Sequence, residues 1–359
     1  MPPRISVIVT AYNRREFLPR AVRSALNQTL PRDRYEVIVV KNFEDRAMDE
    51  EMESEGVTLL HSESPFQGQH LLVALGRCRG EIISFLDDDD EFLPRKLEAV
   101  ESAFSDGVVF HRNRRVFVDA RGRALSAEKP HPPATLGPRG AANRAVQLGM
   151  GVNSSSMSIR REALEAVNRD VVGKLWLAVD LLYFLAALKS GKDLVYDPRP
   201  LTAFRVHGQQ SFVDSTSLRA YAGKRCSSSK KFVASYEVLE ELAGREFEGL
   251  VRPLLLRSAL VGSLFCPLVG ERAETLKRQD LAYLLLHTAA SPLDSLGVRA
   301  MALSALLRLP VGRAMAEAEF ALASRPRRKI AGPRPNGYGR SGLRHLKRRP
   351  PENRKRTRC

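Results

Sequence analysis

The first 90 residues alternate short apolar runs with segments of helical periodicity. Each apolar run is rich in Val, Ile or Leu, as is typical of strands buried on both faces of a parallel sheet. These runs cover residues 5–10, 36–40, 57–60 and 81–86. Apolar positions with helical spacing occur over residues 15–26 and 69–77. The alternation predicts an α/β fold with right-handed crossovers and a mostly parallel sheet.

The later pattern predicts further strands and then a change to helices. Strands are predicted at residues 108–110, 115–118, 154–159, 194–196 and 201–204, and helices at residues 162–167 and 176–188. A loop rich in Pro and Gly covers residues 129–140. Beyond residue 215 the spacing is helical up to residue 323, and the remaining residues contain few core side chains. We therefore predict a catalytic domain (1–215), a helical region (216–324) and a disordered tail (325–359).

The positive charge is concentrated in that tail. The whole chain has a formal net charge of +16, from 57 Lys and Arg against 41 Asp and Glu. Residues 325–359 contain 14 of the basic residues and one acid, Glu352. The body is therefore nearly neutral. The tail could bind an anionic membrane, bind nucleic acid without sequence specificity, or remain solvated.

The cysteines, the N-terminus and the apolar stretches predict the cellular location of the protein. Cys78, Cys226, Cys266 and Cys359 are scattered without CxxC spacing, so neither a zinc site nor a disulfide framework is predicted. Met1 leads almost directly into a strand, which leaves no room for a signal peptide. The apolar stretch 258–270 is too short to span a membrane. These features favour a cytoplasmic protein that is soluble or peripheral on the inner face of the membrane.

Four consecutive aspartates, Asp87–Asp90, follow the apolar run 82–86. Carboxylates this close repel one another, and a divalent cation or a basic partner relieves the repulsion. Tyr12–Asn13 and Lys41–Asn42 follow two other predicted strands. Because ligands bind at the carboxyl ends of parallel strands, three polar clusters converging there predict a site. The alternative is a solvated acidic turn that caps a helix starting near Pro94.

Three sequence features in a fixed order resemble those of the inverting family 2 glycosyltransferases of the GT-A fold. They are Ser-Val-Ile-Val-Thr-Ala-Tyr-Asn-Arg at 6–14, Phe-Leu-Asp-Asp-Asp-Asp at 85–90 with Pro94 and Leu97 after it, and Arg-Val-His at 205–207. The resemblance covers roughly the first 210 residues. It implies transfer of a sugar from a nucleotide-diphosphate donor, a UDP- or GDP-sugar, to a hydroxyl of a glycan or a lipid-linked acceptor. It also implies help from Mg²⁺ or Mn²⁺.

The resemblance assigns roles to individual residues. The family's Leu-Asp-x-Asp-Asp register places Asp87 near the ribose and Asp89 on the metal, and a shift by one residue would select Asp88 instead. His207 matches a position that ligates the metal or contacts the diphosphate, although a histidine after a strand is often structural. Asp180 matches the catalytic base. The acid that usually precedes this base is missing here, because residue 179 is Val.

Nucleotide and acceptor contacts also follow from the resemblance. The nucleotide-sugar positions are Thr10, Tyr12, Asn13, Arg14, Asn42, Asp87, Asp88 and Arg205. Trp176 could stack on an acceptor sugar, although core packing is the alternative, and Arg205 could instead form a surface ion pair. Two departures from the family pattern occur. Lys41–Asn42 replaces the usual pair of acids, which leaves the nucleobase open, and residues 70–72 replace the usual Ala-Arg-Asn, so a donor contact normally made there is absent or comes from elsewhere.

Two other classes of protein are weaker interpretations. A sugar-phosphate nucleotidyltransferase also joins an α/β sheet to a metal-binding acid cluster. That class usually has a Gly-rich phosphate loop after the first strand, and residues 10–14 contain no Gly. A noncatalytic nucleic-acid-binding protein would leave the acid cluster unexplained, and the aromatic interleaving of a stacking platform is missing. No specific nucleic-acid partner is expected.

If the tail docks on membranes, its removal should weaken binding to anionic liposomes. Each cation near anionic lipid contributes roughly 1 kcal/mol, so 14 basic residues suffice for reversible docking. Liposome flotation of the full chain and of a chain lacking residues 325–359 measures this contribution. Equal flotation of the two proteins would contradict the membrane contact.

Overall fold

The structure is a computed structural model that describes residues 2–138, 141–207, 217–273, 276–287, 292–306 and 312–323. The predicted tail at 325–359 and the predicted boundary at 215 lie outside these residues. The described part consists of a mixed sheet with helices on both faces, followed by further helices. The predicted α/β architecture with a C-terminal helical region is therefore confirmed.

Ten strands are described. They are β1 (Ile5–Ala11), β2 (Tyr35–Lys41), β3 (Thr58–His61), β4 (Ile82–Asp87), β5 (Glu91–Phe92), β6 (Val108–Asp119), β7 (Ala124–Ala127), β8 (Ala134–Leu136), β9 (Met157–Arg160) and β10 (Asp193–Val206). Their order across the sheet is β3-β2-β1-β4-β9-β6-β10-β5, with β7 paired to β6 and β8 to β10. Strands β1 to β4 pair in parallel, as predicted. Strand β9 is antiparallel to both of its neighbours, which makes the sheet mixed.

Twelve helices accompany the strands within the described residues. They are α1 (Leu18–Leu26), α2 (Arg46–Ser54), α3 (Gln67–Leu75), α4 (Lys96–Ala103), α5 (Ala141–Gln147), α6 (Arg161–Glu165), α7 (Arg169–Gly173), α8 (Val179–Lys189), α9 (Leu218–Phe265), α10 (Arg278–His287), α11 (Pro292–Leu306) and α12 (Gly312–Ala323).

Several predicted boundaries differ from the observed ones. The predicted strands 108–110 and 115–118 are one strand, β6, and the two predicted strands after residue 193 are one strand, β10. Shifts in the β6–β10 register around Pro200 let the pairing continue past prolines, which the apolar pattern could not reveal. Residues 154–156 form a 3₁₀ turn before β9 instead of part of a strand. Helix α8 begins at Val179 and not at residue 176, because Ala178 has a left-handed backbone.

The sheet separates two hydrophobic cores. Successive side chains of β1 alternate between them, with Ile8 in one core and Val7 and Val9 in the other, as the twofold repeat of a strand requires. Helix α9 contributes Leu239 and Val251 to the core that also contains α8. The described parts of the predicted catalytic domain and helical region therefore share a core.

Helix α9 reverses direction at Gly244. This glycine has φ 62° and ψ −167°, a conformation that is essentially restricted to glycine. The helical segments before and after Gly244 pack against each other in antiparallel orientation. The Tyr221 and Phe265 rings are 5.7 Å apart, and the Ser229 hydroxyl donates to the Ser258 carbonyl at 2.6 Å. We call the two antiparallel parts of α9 the hairpin.

A disulfide joins Cys226 to Cys266 across the hairpin, with 4.8 Å between their Cα atoms. The prediction that the scattered cysteines form no disulfide was therefore wrong. The two residues are 40 positions apart in sequence, and only the reversal at Gly244 brings them together. Disulfides persist mainly in oxidising compartments. The cytoplasmic location stays a prediction, and this bond does not favour it.

One helical stretch among the described residues, Leu218–Val269, is long and apolar enough to cross a membrane by length and composition alone. Its most apolar 18-residue window has a mean hydropathy of 1.4, and 44% of that window is buried. It includes part of the apolar stretch that looked too short in the sequence. The reversal at Gly244 divides this stretch into two shorter helices.

Replacing Gly244 by Ala should destabilise the protein by roughly 1–3 kcal/mol, because a Cβ is strained at this backbone conformation. The control is Gly249→Ala in the same element, where a Cβ would meet nothing within 4 Å and φ is not positive. That change should stabilise the helix by roughly 0.5–1 kcal/mol. Denaturant unfolding of the two variants checks the difference. Equal effects of the two substitutions would contradict the hairpin.

Candidate active site

The carboxyl ends of β1, β2 and β4 lie side by side. Thr10 on β1 is in register with Asp87 on β4, and Ala11 is in register with Lys41 on β2. The three polar clusters predicted from the sequence therefore meet at one edge of the sheet. Tyr12 is 42% exposed there, and its ring lies 5.7 Å from the His70 ring.

Three of the four consecutive carboxylates can share one cation. One oxygen each of Asp87, Asp89 and Asp90 lies within 4.8 Å of the others. The turn is held by the Asp90 amide, which donates to the Asp87 carbonyl at 3.1 Å, and by the Asp87 amide, which donates to the Ser155 hydroxyl at 3.0 Å. Hard carboxylate oxygens are the ligands that Mg²⁺ and Mn²⁺ prefer, so these residues fit such an ion. The assignment of Asp87 to the ribose and of Asp89 to the metal stays a prediction.

Two nitrogen-bearing side chains, Arg14 and His207, contact the cluster from distant parts of the sequence. The Arg14 guanidinium donates to Asp89 at 2.6 Å and to both oxygens of Asp88. The His207 Nε2 atom lies 3.1 Å from Asp89 Oδ2. Burial acts to raise the pKa of Asp89, but the bonds from His207 and Arg14 outweigh it and lower that pKa. Asp89 is therefore the most readily ionised member of the cluster.

The other three carboxyls hold their protons more tightly. Burial, reinforced by the neighbouring aspartates, raises the pKa of Asp87 well above its usual range and that of Asp90 to about 6. Burial also raises the pKa of Asp88 to about 7, despite the opposing charge of Arg14. A cation brought to these oxygens would favour the ionised forms, so the cluster is poised to bind positive charge.

Arg205 holds the acidic turn through hydrogen bonds to Asp89 and Asp90. It is 1% exposed, its amide donates to Asp90 Oδ1 at 2.9 Å, and its Nε donates to the Asp89 carbonyl at 2.9 Å. Its remaining nitrogens contact the Asp119 and Ala120 carbonyls and the Glu91 carboxylate. The predicted phosphate contact of Arg205 stays a prediction, and this packing does not favour it. The alternative, an ion pair, is present between Arg205 and Glu91, but it is buried and does not lie at the surface as predicted.

Asp180 is joined to the cluster through Asn153. The Asn153 amide donates to Asp180 Oδ2 at 3.1 Å, and the Asn153 side chain donates to Asp90 Oδ2 at 3.1 Å. Asp180 lies in the first turn of α8, where the Leu181 amide donates to its Oδ1 at 3.0 Å. Burial nevertheless raises its pKa. The candidate base and the candidate metal ligands therefore occupy one site.

Sequence reasoning missed Asn153. It is 8% exposed and has a left-handed backbone with φ 70°. Asn adopts this conformation more easily than most residues. Nothing in the surrounding residues marks it, because its partners lie 63 residues before it and 27 after it.

The end of β2 is electrically balanced. The buried Lys41 ammonium lies 3.0 Å from the Asp49 carboxylate, which neutralises the Lys41 charge. Asp49 is on α2, a helix that the sequence pattern did not predict. Asn42 and Asn13 exchange two hydrogen bonds, at 2.7 and 2.8 Å. A cleft of about 460 Å³ opens beside Lys41 and His61. Asn42 is placed at the predicted edge, but its amide already bonds to Asn13.

Trp176 lies in the loop before α8. Its ring is 4.1 Å from the Phe66 ring, and the Lys231 ammonium is 5.4 Å from its centroid. The side chain is partly buried. Packing against Phe66 and Lys231 is therefore observed, and acceptor stacking on Trp176 stays a prediction.

Comparison with known proteins identifies the segment that contains β1, β2, β4 and the acidic turn. Residues 6–167 match the family described as Glycosyl transferase family 2. This segment, which is less than half of the chain, is a family 2 glycosyltransferase domain. The matched segment ends before Asp180, Arg205 and His207, so the roles predicted for these residues stay predictions. A Nostoc sp. protein described as an uncharacterized glycosyltransferase is 27% identical over 231 residues, which are 60% of this chain and 68% of that protein.

Other glycosyltransferases share shorter segments or the fold. A Haemophilus influenzae protein described as an uncharacterized glycosyltransferase is 35% identical over 99 residues, 27% of this chain and 33% of its own length. S. aureus TarS 1–349 in complex with UDP-GlcNAc is 17% identical, with a TM-score of 0.51 over 88% of this chain and 91% of that one. The Pyrobaculum calidifontis mannosyltransferase PcManGT, in complex with GDP-Man and Mn²⁺, is 18% identical, with a TM-score of 0.50 over 90% and 86%. At these identities the two structures establish the GT-A fold alone.

The Asp89→Asn variant should lose turnover by at least roughly 10³-fold while it remains folded. The amide keeps the shape of the side chain but removes the charge that a cation requires. Asp33→Asn, at an exposed position in a 3₁₀ turn, is the matched control and should keep full turnover. Sugar transfer and thermal unfolding are measured on both variants. Near-native turnover of Asp89→Asn would contradict the site.

Proposed function

We propose that this glycosyltransferase is inverting and metal-dependent, and that it moves a sugar from a nucleotide-diphosphate donor to a hydroxyl acceptor. One observation carries the proposal: a three-carboxylate cluster lies at the carboxyl edge of the sheet, and Asn153 links it to a separate, partly buried carboxylate, Asp180. The first group can hold a cation near the leaving diphosphate. The second is free of the cluster and can accept a proton.

Asp87, Asp89 and Asp90 would hold Mg²⁺ or Mn²⁺, with His207 against Asp89 as a further ligand or as the group that orients it. Such an ion supplies positive charge where negative charge develops on the departing nucleoside diphosphate. Arg14 bonds to the same Asp89 oxygen as His207. We propose that Arg14 shares this charge-neutralising role with the metal and contacts the donor phosphates.

Asp180 would act as the base. One of its oxygens takes the proton of the acceptor hydroxyl as the acceptor oxygen forms a bond to the anomeric carbon. The bond between that carbon and the phosphate oxygen breaks on the opposite face, and the electron pair leaves with the nucleoside diphosphate. The configuration at the anomeric carbon is therefore inverted. The two amide donors to Asp180 hold its carboxylate in place for this step.

The donor is proposed to be a UDP- or GDP-sugar, since TarS binds UDP-GlcNAc and PcManGT binds GDP-Man. Thr10, Tyr12, Asn13 and Asn42 line the edge where a nucleoside would lie. The acceptor is proposed to be a saccharide or a lipid-linked glycan. The predicted membrane contact of the tail lies outside the described residues and stays a prediction.

Asp180→Asn should reduce turnover by roughly 10²–10⁴-fold, the usual contribution of a general base. The raised pKa of Asp180 gives the sign of the pH effect. The base works only when ionised, so wild-type turnover should fall as the pH drops through a pKa above the ordinary Asp value of about 3.9.

Turnover against pH, for wild type and for the Asp180→Asn variant, measures both effects. Asp170→Asn, near the start of the short helix α7, is the control because that residue is exposed and outside the site. A profile and a rate that Asp180→Asn leaves unaltered would remove Asp180 from the mechanism.

A further inference from the structure

The loop that leads to Asp180 is anchored by a residue outside the matched family segment. The Leu177 amide donates to the Ser235 hydroxyl at 3.0 Å, across 58 positions of sequence. Ser235 lies on α9 and is fully buried. Its hydroxyl in turn donates to the Lys231 carbonyl at 2.8 Å, one turn earlier. The serine oxygen is therefore fixed in direction before it receives the loop amide.

The next residue of the loop has a backbone that needs such an anchor. Ala178 has φ 62° and ψ 32°, a left-handed conformation that a side chain with a Cβ disfavours. Conformations of this kind persist when the surrounding structure fixes them. The Ala178 carbonyl accepts from the Leu182 amide at 3.2 Å, which starts α8 with Asp180 in its first turn. The turn at Ala178 thus sets where the Asp180 carboxylate lies.

Other contacts bring the same part of α9 to the loop. Trp176 is the residue before Leu177, and the Lys231 ammonium lies 5.4 Å from the centroid of its ring. Tyr236, the neighbour of Ser235, is close enough to Asp180 to respond to it: burial is the main cause of its raised pKa, and the Asp180 charge adds to it. Helix α9 therefore contacts the loop at two points, at Trp176 and at Leu177.

We propose that Ser235 is a positioning residue for Asp180, and that the single turn of α9 from Lys231 to Ser235 is part of the active site. Ser235 acts through the Leu177 amide, which holds Ala178 in its left-handed turn and so orients the carboxylate. This inference rests on the proposed role of Asp180 as the base. It extends the catalytic machinery beyond the predicted catalytic domain (1–215) into the helical region.

The test compares three variants in the full chain. Ser235→Ala removes the anchor, so kcat should fall roughly 10- to 100-fold, as expected for a misplaced catalytic group, while the donor KM changes little. Ala178→Gly, added to Ser235→Ala, should restore most of kcat, because glycine adopts the left-handed turn without strain. Ser229→Ala is the control: it removes a buried hydroxyl that bonds only within the hairpin, to the Ser258 carbonyl, and should leave kcat unchanged.

Trp176 provides a readout that does not depend on activity. It is the only tryptophan in the chain and adjoins Leu177. Acrylamide quenching of its fluorescence should increase in Ser235→Ala and return toward the wild-type value when Ala178→Gly is added. Failure of Ala178→Gly to rescue either quantity, or unchanged quenching in Ser235→Ala, would overturn the positioning role. Increased quenching with unchanged kcat would instead contradict the role of Asp180 as the base, so the two failures are distinguishable.

Discussion

Repulsion among the four carboxylates at the end of β4 is the constraint on which the rest of the site depends. Two of them, Asp88 and Asp90, are almost completely buried, where water screens charge poorly. The protein balances them with the guanidinium groups of Arg14, after β1, and of Arg205, near the end of β10, and His207 contacts Asp89. These groups come from distant parts of the sequence. The acidic turn is therefore stable only when the fold has brought these distant groups into contact with it.

The order of the strands achieves this closure. Strand β1 lies between β2 and β4, so its carboxyl end meets the acidic turn directly. Strand β10 runs for 14 residues along β6 and brings Arg205 under the same turn. Asn153 then connects the cluster to Asp180, and the hairpin of α9 holds the loop that leads to Asp180. The groups that balance the charge of the acidic turn and the candidate base Asp180 are thus held by different elements of the fold.

The residues that could be predicted are those whose signal is local. The apolar runs before Asn13, Lys41 and Asp87 predict strand ends, and strand ends of a parallel sheet meet at one edge whatever the connecting segments are. The features that could not be predicted depend on long-range contacts. Asn153 is defined by partners on two other elements, and the Cys226–Cys266 bond exists only because Gly244 reverses α9. Neither a spacing nor a periodicity records such contacts.

Calorimetric titration of Mn²⁺ tests the central claim most directly. The protein is titrated with and without UDP or GDP, alongside the Asp89→Asn variant. If the acidic cluster holds a cation against the donor diphosphate, the wild type takes up Mn²⁺ more tightly with one of the nucleotides present, and the variant loses this uptake. Equal uptake by the variant, or no Mn²⁺ uptake by the wild type with either nucleotide, would contradict the account.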